Sequence, residues 1–248
     1  MHSEPQVAIV IAVFDEEGNV ASVAAEVAAA FSGHGAFTLI FVDDGSSDAT
    51  PRIIEELART DPRIRLIRHA IRCGKSRALR TGVEAADAPW IATLDGDGQN
   101  DPRDLLAMIE IAWSRAEEGP LVAGIRTRRD DPWARRVATR FANGLRRWAL
   151  GDRCPDTACG MKVFRREDFL RLPCFEGMHR FLPALFLRYG APVINHPVSH
   201  RARREGRSKY TNAGRARVGL ADLIGVMWLL DRTRVPIVSR ADETSSHA

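Results

Sequence analysis

The sequence lacks several features that would place it in a special class of protein. Its 248 residues include four cysteines with no CxxC pair and no zinc spacing, namely Cys73, Cys154, Cys159 and Cys174. We therefore predict reduced thiols rather than a disulfide framework. No apolar stretch reaches the length that spans a bilayer, and no basic segment precedes the first apolar run. These absences predict a cytoplasmic chain that is at most peripheral to a membrane.

The chain also lacks a strong charge of either sign. Its 36 lysines and arginines barely exceed its 32 acidic residues, which gives a formal net charge of +4. So small an excess does not favour nucleic acid as a partner, because nucleic acid binding depends on dense positive charge. A mild excess of arginine suits smaller anionic ligands or an anionic membrane surface.

The first half of the chain contains a regular alternation of strand and helix patterns. Val7–Val13 reads VAIVIAV, an unbroken apolar run typical of a strand buried on both faces. Further strands are predicted at Phe37–Val42, Ile64–Ile67, Trp90–Leu94 and Leu121–Ile125. Helical spacing predicts helices at Asn19–Phe31, from Thr50, at Lys75–Ala86 and at Asp104–Ala116. The alternation predicts an α/β fold with a mostly parallel central sheet and helices on both faces.

Acidic residues directly follow three of these predicted strands. They are Asp15, Glu16 and Glu17 after the first strand, Asp43 and Asp44 after the second, and Asp95 and Asp97 after the fourth. In parallel sheets, ligands bind beyond the carboxyl ends of the strands. We therefore predict that the three clusters share one nucleotide and metal site.

The stretch WIATLDGDGQNDP carries the predicted metal ligands. Asp95, Asp97 and Gln99 alternate with two glycines, which allow the backbone to turn so that the side chains converge. Two carboxylates and an amide oxygen suit Mg²⁺ or Mn²⁺. Asp101 and Pro102 are predicted to be the N-cap and first residue of the next helix.

The second half is less regular and more basic. Helices are predicted at Trp133–Leu150, Glu167–Leu172 and His179–Tyr189, and strands at Met161–Phe164 and Pro192–Val198. A basic loop, HRARREGRSKY, then precedes an apolar helix at Val218–Leu230. We predict that this amphipathic helix lies in a membrane interface, next to its collar of basic residues. None of the histidines has metal-ligand spacing, and His200 beside the basic loop is a candidate for phosphate contact.

Seven motifs, in one order, resemble a single large family. They are IAVFDEEGNV, FVDDGSSDAT, CGKSRALRTG, TLDGDGQNDP, AGIR, DTACGMKVF and RREGRSKY, spanning Val7 to Tyr210. On these motifs the chain is similar to inverting family 2 glycosyltransferases of the GT-A fold, and within them to polyprenyl-phosphate (dolichol-phosphate) hexose synthases. The resemblance implies one GT-A domain over residues 1–236. It would comprise a nucleotide-sugar half (7–125), an acceptor half (126–212) and an interfacial helix (213–236), followed by a disordered tail (237–248).

The resemblance also implies roles for individual residues. Nucleotide binding is implied for Ala12, Phe14, Glu16, Asp43, Asp44, Lys75, Asp95 and Gly96. Metal binding is implied for Asp95, Asp97 and Gln99. Contact with anionic phosphate groups is implied for Arg126, Arg135, Thr139, Arg203 and Lys209. The predicted catalytic set is Asp95, Asp97, Arg126, Asp156, Arg203 and Lys209, with Asp156 on the acceptor side.

The chain departs from the family pattern at five positions. Pro and Asn are common where this chain has Ala12 and Asp15, and a second Arg is common where Lys162 stands. Ser is common at the positions of Thr139 and Cys159. The change at Asp15 bears on the contacts with the base, and no departure touches the metal ligands.

The implied reaction agrees with the chemistry of these residues. A metal held by the paired aspartates stabilises the charge that develops on a departing nucleoside diphosphate. A polyprenyl phosphate is already an anion at pH 7, so it needs no general base, only arginine side chains that hold it close. The predicted function is transfer of a hexose from a GDP- or UDP-sugar to a polyprenyl phosphate at the inner face of the cell membrane.

The residues also leave alternatives open. A family 2 transferase with a saccharide hydroxyl acceptor would need a general base, for which Asp156 is the candidate. A silent nucleotide-sugar sensor or membrane adaptor would not depend on its metal ligands. A nucleotidyltransferase would need a Gly-rich, Arg-containing loop after the first strand, where this chain has FDEEG. Gly74-Lys75-Ser76 is not a P-loop, because His69 stands where the motif needs glycine.

Overall fold

The computed structural model describes residues 6–127, 144, 146, 147, 149–201 and 212–235, and for residues 212–218 only the backbone. The strands are β1 (Val7–Val13), β2 (Phe37–Asp43), β3 (Ile64–Arg68), β4 (Trp90–Thr93), β5 (Leu121–Arg126), β6 (Lys162–Arg165) and β7 (Val193–Val198). The helices are α1 (Val20–Ala30), α2 (Thr50–Thr60), α3 (Lys75–Glu84), α4 (Asp104–Ser114), α5 (Arg166–Arg171), α6 (Leu182–Arg188) and α7 (Asn212–Arg232). Short 3-10 turns occur at Ala116–Glu118 and Met178–Arg180. The predicted alternation of strands and helices is confirmed.

The strands form one sheet in the order β3-β2-β1-β4-β6-β5-β7. β6 is antiparallel to both of its neighbours, and the other strands run in one direction. The predicted mostly parallel α/β sheet is therefore confirmed. Strands from both halves of the chain share it, because β4 pairs directly with β6.

Helices cover both faces of the sheet because the central strands are apolar on both. In β1, Ile9 and Ile11 belong to the core on one face, which also includes residues of α1, α2 and α4. Ala8 and Val10 belong to the core on the other face, with residues of α3, α5, α6 and α7. Since side chains alternate along a strand, the run VAIVIAV supplies both cores at once.

The predicted helix start at Asp101 and Pro102 was wrong. The helix α4 begins at Asp104. Asp101 instead closes a turn, in which its Oδ1 accepts a hydrogen bond from the Arg103 N–H (3.0 Å) and its carbonyl accepts one from the Asp104 N–H (3.1 Å). An aspartate side chain bonded to the backbone two residues on competes with helix formation.

Other boundaries differ in smaller ways. The predicted helix His179–Tyr189 is a 3-10 turn followed by α6, and α7 begins at Asn212 rather than Val218. The predicted helix Trp133–Leu150 falls mostly outside the described residues, and those described between 144 and 150 are helical. All four cysteines are free thiols, as predicted.

The C-terminal helix α7 is apolar on two faces. Leu223 and Val226 are buried against the core. Leu220, Ile224, Met227 and Trp228 form an exposed apolar stripe, with Trp228 64% exposed. None of the helices in the described part of the chain combines the length and apolar character needed to traverse a bilayer.

Candidate active site

One edge of the sheet gathers most of the predicted site residues. β1, β2, β4, β5 and β7 run in the same direction, so their carboxyl ends meet at this edge. Asp15, Asp44, Asp95 and Arg126 lie at or just beyond four of these ends. The convergence expected from the sequence therefore follows directly from the sheet topology.

The loop after β4 is shaped by its two glycines, for different reasons. Gly98 has a φ of 71°, a conformation that side-chain-bearing residues rarely adopt. Gly96 is needed for space, because a Cβ atom there would lie 2.7 Å from Cγ1 of Val13. Within the loop, Oδ1 of Asp97 accepts a hydrogen bond from the Gln99 N–H at 3.2 Å. The glycines thus bring the loop against β1 and turn it back over the sheet edge.

Asp95 is paired with Lys75 at the start of α3, by an ion pair and a hydrogen bond to its Oδ1. Burial raises the pKa of Asp95, but the charge and hydrogen bond of Lys75 outweigh it, so the pKa lies below its usual value. Burial lowers the pKa of Lys75, and Asp95 more than compensates. Both groups therefore stay charged at neutral pH.

The space around Asp95 is defined by Gly160, in the segment before β6. A Cβ atom on Gly160 would lie 2.2 Å from Oδ1 of Asp95 and 2.3 Å from its Cγ and Oδ2. Thr93 holds this segment in place, because its Oγ1 donates a hydrogen bond to the Gly160 carbonyl at 2.6 Å. Only glycine leaves room for the Asp95 carboxylate in its present position.

Gln99 connects the loop after β4 to the segment after β7. Its backbone carbonyl accepts a hydrogen bond from the backbone N–H of Arg201 (2.8 Å). Its side-chain Nε2 donates one to the backbone carbonyl of Arg201 (3.2 Å). The Arg201 guanidinium in turn pairs with Glu26 of α1 and with Asp101. The start of the basic segment is thereby fixed to the loop that carries the predicted metal ligands.

His200 lies beside Gln99, in the segment after β7. Its Nε2 is 3.5 Å from Nε2 of Gln99, and its buried Nδ1 has no hydrogen-bond partner among the described residues. Burial lowers the pKa of His200, and the charge of Arg126 lowers it further, against Asp97, Asp156 and Asp95. His200 is therefore neutral at pH 7 and lies beside Gln99, one of the predicted metal ligands.

Arg126 and Asp156 form a bidentate pair across the edge of the sheet. Nε of Arg126 donates to Oδ2 of Asp156 at 2.7 Å, and Nη2 donates to Oδ1 at 2.8 Å. Burial lowers the pKa of Arg126, but Asp156 outweighs burial and raises it. Asp156 is 4% exposed. Asp156 therefore orients the Arg126 guanidinium, whose charge also lowers the pKa of Asp95.

The predicted nucleotide residues lie around the ends of β1 and β2. The Arg72 guanidinium lies over the Phe14 ring, 4.1 Å from its centroid. Glu16 accepts a hydrogen bond from Asn19 at 2.7 Å, within its own turn. Ala12 is half-buried on β1, opposite Val42 of β2.

Asp43 and Asp44 are buried, and their carboxylates accept hydrogen bonds from the backbone of neighbouring loops. Oδ1 of Asp43 accepts a hydrogen bond from the Ser46 N–H at 3.1 Å. Asp44 accepts hydrogen bonds from the N–H groups of Cys73 and Gly74, each at 2.8 Å. The acidic pair therefore fixes the loops that border the predicted base position.

The departure from the family pattern at Asp15 has a structural explanation. Asp15 has a φ of 48°, in the left-handed region that Asn and Asp tolerate best among residues with a side chain. Its Oδ1 accepts a hydrogen bond from the Ser47 N–H at 2.8 Å. Aspartate thus keeps both the backbone shape and the acceptor that asparagine would provide.

Four predicted residues, Arg135, Thr139, Arg203 and Lys209, lie outside the described part of the chain. Their predicted contact with phosphate stays a prediction.

Comparison with protein families identifies the family of this chain. The family model "Glycosyl transferase family 2" matches residues 8–172, from β1 to the end of α5. The chain belongs to glycosyl transferase family 2.

The names of two curated relatives of this family 2 chain describe enzymes that act on polyprenyl phosphates. Dodecaprenyl-phosphate galacturonate synthase of Rhizobium johnstonii is 31% identical over 229 residues, covering 91% of this chain and 67% of the relative. Undecaprenyl-phosphate 4-deoxy-4-formamido-L-arabinose transferase of Edwardsiella ictaluri is 31% identical over 226 residues, covering 90% and 66%. The chain thus spans about two thirds of the length of these relatives.

A solved structure supports the fold. Glucosyl-3-phosphoglycerate synthase from Mycobacterium tuberculosis, in complex with Mn²⁺, UDP and glucosyl-3-phosphoglycerate, superposes with a TM-score of 0.67. The match covers 94% of this chain and 81% of that chain, at 20% identity. At that identity the likeness establishes the GT-A fold of this family 2 chain and nothing further.

The sequence identified Lys162 only as a departure from the family pattern and assigned no role to it, although it is buried at this family 2 site. Lys162 begins β6, is 4% exposed, and donates hydrogen bonds to the carbonyls of Thr157 (3.3 Å) and Cys159. Burial lowers its pKa, against the pull of nearby acidic groups. Its charge lowers the pKa of Asp95, although Lys75 has the larger effect. An isolated lysine in an apolar strand gives no local signal of this role.

A contact between buried Ser76 and half-buried His179 was also missed, because the two residues are far apart in sequence. Nδ1 of His179 lies 2.8 Å from Oγ of Ser76, the residue after Lys75, across a sequence separation of 103 residues. Burial lowers the pKa of His179 well below its usual value of 6.5, and the charges of Lys75 and Lys162 add to the effect. The pair therefore holds the start of α3 with a neutral imidazole.

The pKa of His179 predicts a pH dependence of stability. In the unfolded chain an ordinary histidine takes up a proton near pH 6.5, whereas folded His179 does not. The unfolded state therefore binds more protons below that pH, and stability falls as the pH falls, by up to about 1.4 kcal/mol per pH unit. We expect His179→Asn to flatten this slope in urea unfolding measured between about pH 5 and pH 7. The exposed-site variant His34→Asn is the control, and equal slopes in wild type and His179→Asn would contradict the prediction.

Proposed function

We propose that this chain transfers a sugar, with inversion, from a nucleotide sugar to a polyprenyl phosphate. The proposal rests on one observation: groups of opposite charge lie at the same edge of the sheet. Paired carboxylates follow β4, and the Arg126 guanidinium ends β5, close enough for its charge to lower the pKa of Asp95. The names of the curated relatives support the same acceptor class.

The donor side fits a divalent cation of the Mg²⁺ or Mn²⁺ class. Asp95 and Asp97 offer carboxylate oxygens and Gln99 an amide oxygen, and hard cations prefer such ligands while keeping room for substrate phosphates. Gly160 leaves the space that the Asp95 carboxylate needs. When bound, the cation would neutralise charge on the departing nucleoside diphosphate.

Lys75 would change partners during donor binding. It is the counter-ion of Asp95 in the structure, and its raised pKa keeps it protonated. Once positive charge from a cation and negative charge from a diphosphate arrive together, the ammonium group can turn from the carboxylate to a phosphate oxygen. The total charge of the site then changes little on binding, which limits the electrostatic cost.

The acceptor side favours an anionic nucleophile over a hydroxyl group. Both carboxylate oxygens of Asp156 already accept hydrogen bonds from Arg126, so Asp156 is poorly suited to remove a proton from a saccharide. A phosphate monoester needs no such base. Arg126, held by Asp156, and neutral His200 would orient it, and Arg135, Thr139, Arg203 and Lys209 remain predicted contributors.

Transfer of radiolabelled sugar tests the proposal. The purified protein is incubated with labelled UDP- or GDP-sugars, Mn²⁺ and a polyprenyl phosphate, and the label is counted after organic extraction. We expect label in the lipid phase with at least one donor, dependent on both metal and lipid. Label that enters a soluble glycan, with none in lipid, would overturn the proposal in favour of a hydroxyl acceptor.

We also propose that the chain works at the inner face of the cell membrane, where α7 contacts the surface. The exposed stripe Leu220, Ile224, Met227 and Trp228 supplies apolar area, and the basic segment before α7 supplies attraction to anionic lipids. A lipid-borne phosphate can reach the sheet edge only if the protein lies close to the surface. The membrane therefore serves as a partner of the same reaction.

Trp228→Glu tests the membrane contact. Trp228 is 64% exposed, so the substitution leaves the core intact, while a carboxylate at this position opposes entry into the interface. We expect binding to vesicles rich in anionic lipid to weaken by at least about ten-fold in co-sedimentation. Trp113→Glu changes another exposed tryptophan, on α4 and 43% exposed, and should bind as wild type does. Equal losses for both variants would count against a role of α7.

A further inference from the structure

A second cluster of donor atoms lies apart from the paired aspartates, behind the loop that precedes α3. Asp44 follows β2, His69 follows β3, and Cys73 stands two residues before α3. A carboxylate oxygen, an imidazole nitrogen and the thiol sulfur of these residues all lie within 4.8 Å of one another. Cys73 is exposed, whereas the side chains of His69 and Asp44 are 13% and 5% exposed. Two of the three candidate ligands are therefore buried, and the thiol faces solvent.

The donor set differs in kind from that of the loop after β4. A thiolate and an imidazole are ligands that Zn²⁺ and its analogue Co²⁺ prefer, and Mg²⁺ avoids them. One carboxylate and one thiolate together carry two negative charges, which a divalent cation neutralises. Three protein ligands also leave a fourth tetrahedral position for water or another small ligand.

The surroundings orient two of the three ligands before any metal binds. Asp44 is held by the N–H groups of Cys73 and Gly74, each at 2.8 Å. The far nitrogen of the His69 ring, Nε2, lies 3.0 Å from Oγ1 of Thr81 on α3. Such a partner on the opposite ring nitrogen fixes the orientation of a histidine ligand. The thiol of Cys73, at the surface, now donates a hydrogen bond to the Ile71 carbonyl at 3.3 Å, which it would give up on binding a cation.

A proton now occupies the position that a metal would take. Nδ1 of His69 and Oδ1 of Asp44 are 2.8 Å apart, a hydrogen-bond distance. When a cation binds Nδ1, the single hydrogen of the neutral ring lies on Nε2 and is donated to Oγ1 of Thr81, so the only proton released is that of the Cys73 thiol. The two nearer donor atoms need to separate by only a few tenths of an ångström.

We propose that Asp44, His69 and Cys73 form a site for a zinc-class cation, and that its occupation opposes binding of the donor nucleotide. The second part rests on the proposed function, because Asp44 and the loop carrying Arg72 border the predicted base position. Drawing Asp44 and Cys73 towards a cation moves that loop, whose Arg72 lies over Phe14. The metal site itself does not depend on the reaction.

Titration of the metal-free protein with Co²⁺ tests the site directly. A thiolate ligand gives a near-ultraviolet charge-transfer band, and we expect this band to saturate at one equivalent and to disappear when Zn²⁺ is added. Cys73→Ser should abolish the band. Cys174→Ser, which changes the other exposed cysteine, should retain it. Thr81→Val should weaken Co²⁺ binding by about 10- to 100-fold with the band unchanged in shape.

The outcomes separate the metal site from the proposed function. Absence of the band, or its survival in Cys73→Ser, would overturn the metal site. If the protein binds UDP or GDP and neither nucleotide weakens Co²⁺ binding, the opposition is refuted and the site stands. If the protein binds neither nucleotide, the proposed function fails, and the charge-transfer band still decides the metal site.

Discussion

Replacing Asp97 with asparagine is expected to lower the rate of sugar transfer by about 10³-fold without a change in the unfolding temperature. The rate falls because a neutral amide holds the divalent cation poorly, and the cation supplies several kcal/mol of stabilisation to the leaving group. Stability is retained because Oδ1 of an asparagine can still accept the hydrogen bond from the Gln99 N–H. The measurements are initial rates of label transfer to lipid and thermal unfolding of the same preparations.

Two further variants sharpen this prediction. Asp87→Asn removes one negative charge from an exposed side chain, 84% accessible, and should keep full activity. Asp95→Asn should lose activity and also stability, by about 1–2 kcal/mol, because it leaves the half-buried Lys75 without its counter-ion. Wild-type transfer activity in Asp97→Asn would contradict the metal-binding role of Asp97. Intact cellular function after Asp97→Ala would instead support a silent sensor or adaptor.

Replacing Gly160 with alanine is expected to weaken metal-dependent binding of the donor nucleotide by about 10²-fold. The added Cβ atom needs space that the Asp95 carboxylate now occupies, at 2.2–2.3 Å. The segment before β6 cannot easily retreat, because Thr93 anchors the Gly160 carbonyl. The carboxylate is therefore displaced, and misplacement of a catalytic group by about 1 Å costs about this factor.

Calorimetric titration with UDP or GDP, in the presence and absence of Mn²⁺, measures the effect. The control is Gly225→Ala on α7, where an added Cβ atom meets nothing within 4 Å. We expect it to bind nucleotide as wild type does. If Gly160→Ala binds nucleotide with wild-type affinity and metal dependence, the space beside Asp95 has no part in placing the carboxylate.

Much of the fold of residues 7–125 could be predicted from sequence because its signals are local. The run Val7–Val13 specifies a strand buried on both faces, and β1 covers the same residues in the structure. The acidic residues after Val13, Val42 and Leu94 were expected at one sheet edge because parallel strands end together. The topology confirms that edge.

The parts that sequence did not reveal depend on contacts between distant residues. The antiparallel direction of β6 is set by its place between β4 and β5, which its four residues do not encode. His179 meets Ser76 across 103 residues, and Gly160 meets Asp95 across the sheet edge. The helix start at Asp101 was misjudged because an aspartate followed by proline satisfies a turn as readily as a helix cap.

The shared sheet has a consequence for engineering this enzyme. β6, which comes from the predicted acceptor half of the sequence, is inserted between β4 and β5, and each neighbour hydrogen-bonds to it. A cut between the halves would expose the backbone edge of β4 and strip β5 of a partner. Donor and acceptor preferences therefore cannot be changed by exchanging one half of the chain for that of a relative. Chimeras that aim to redirect this enzyme will need to transplant loops onto an undivided sheet.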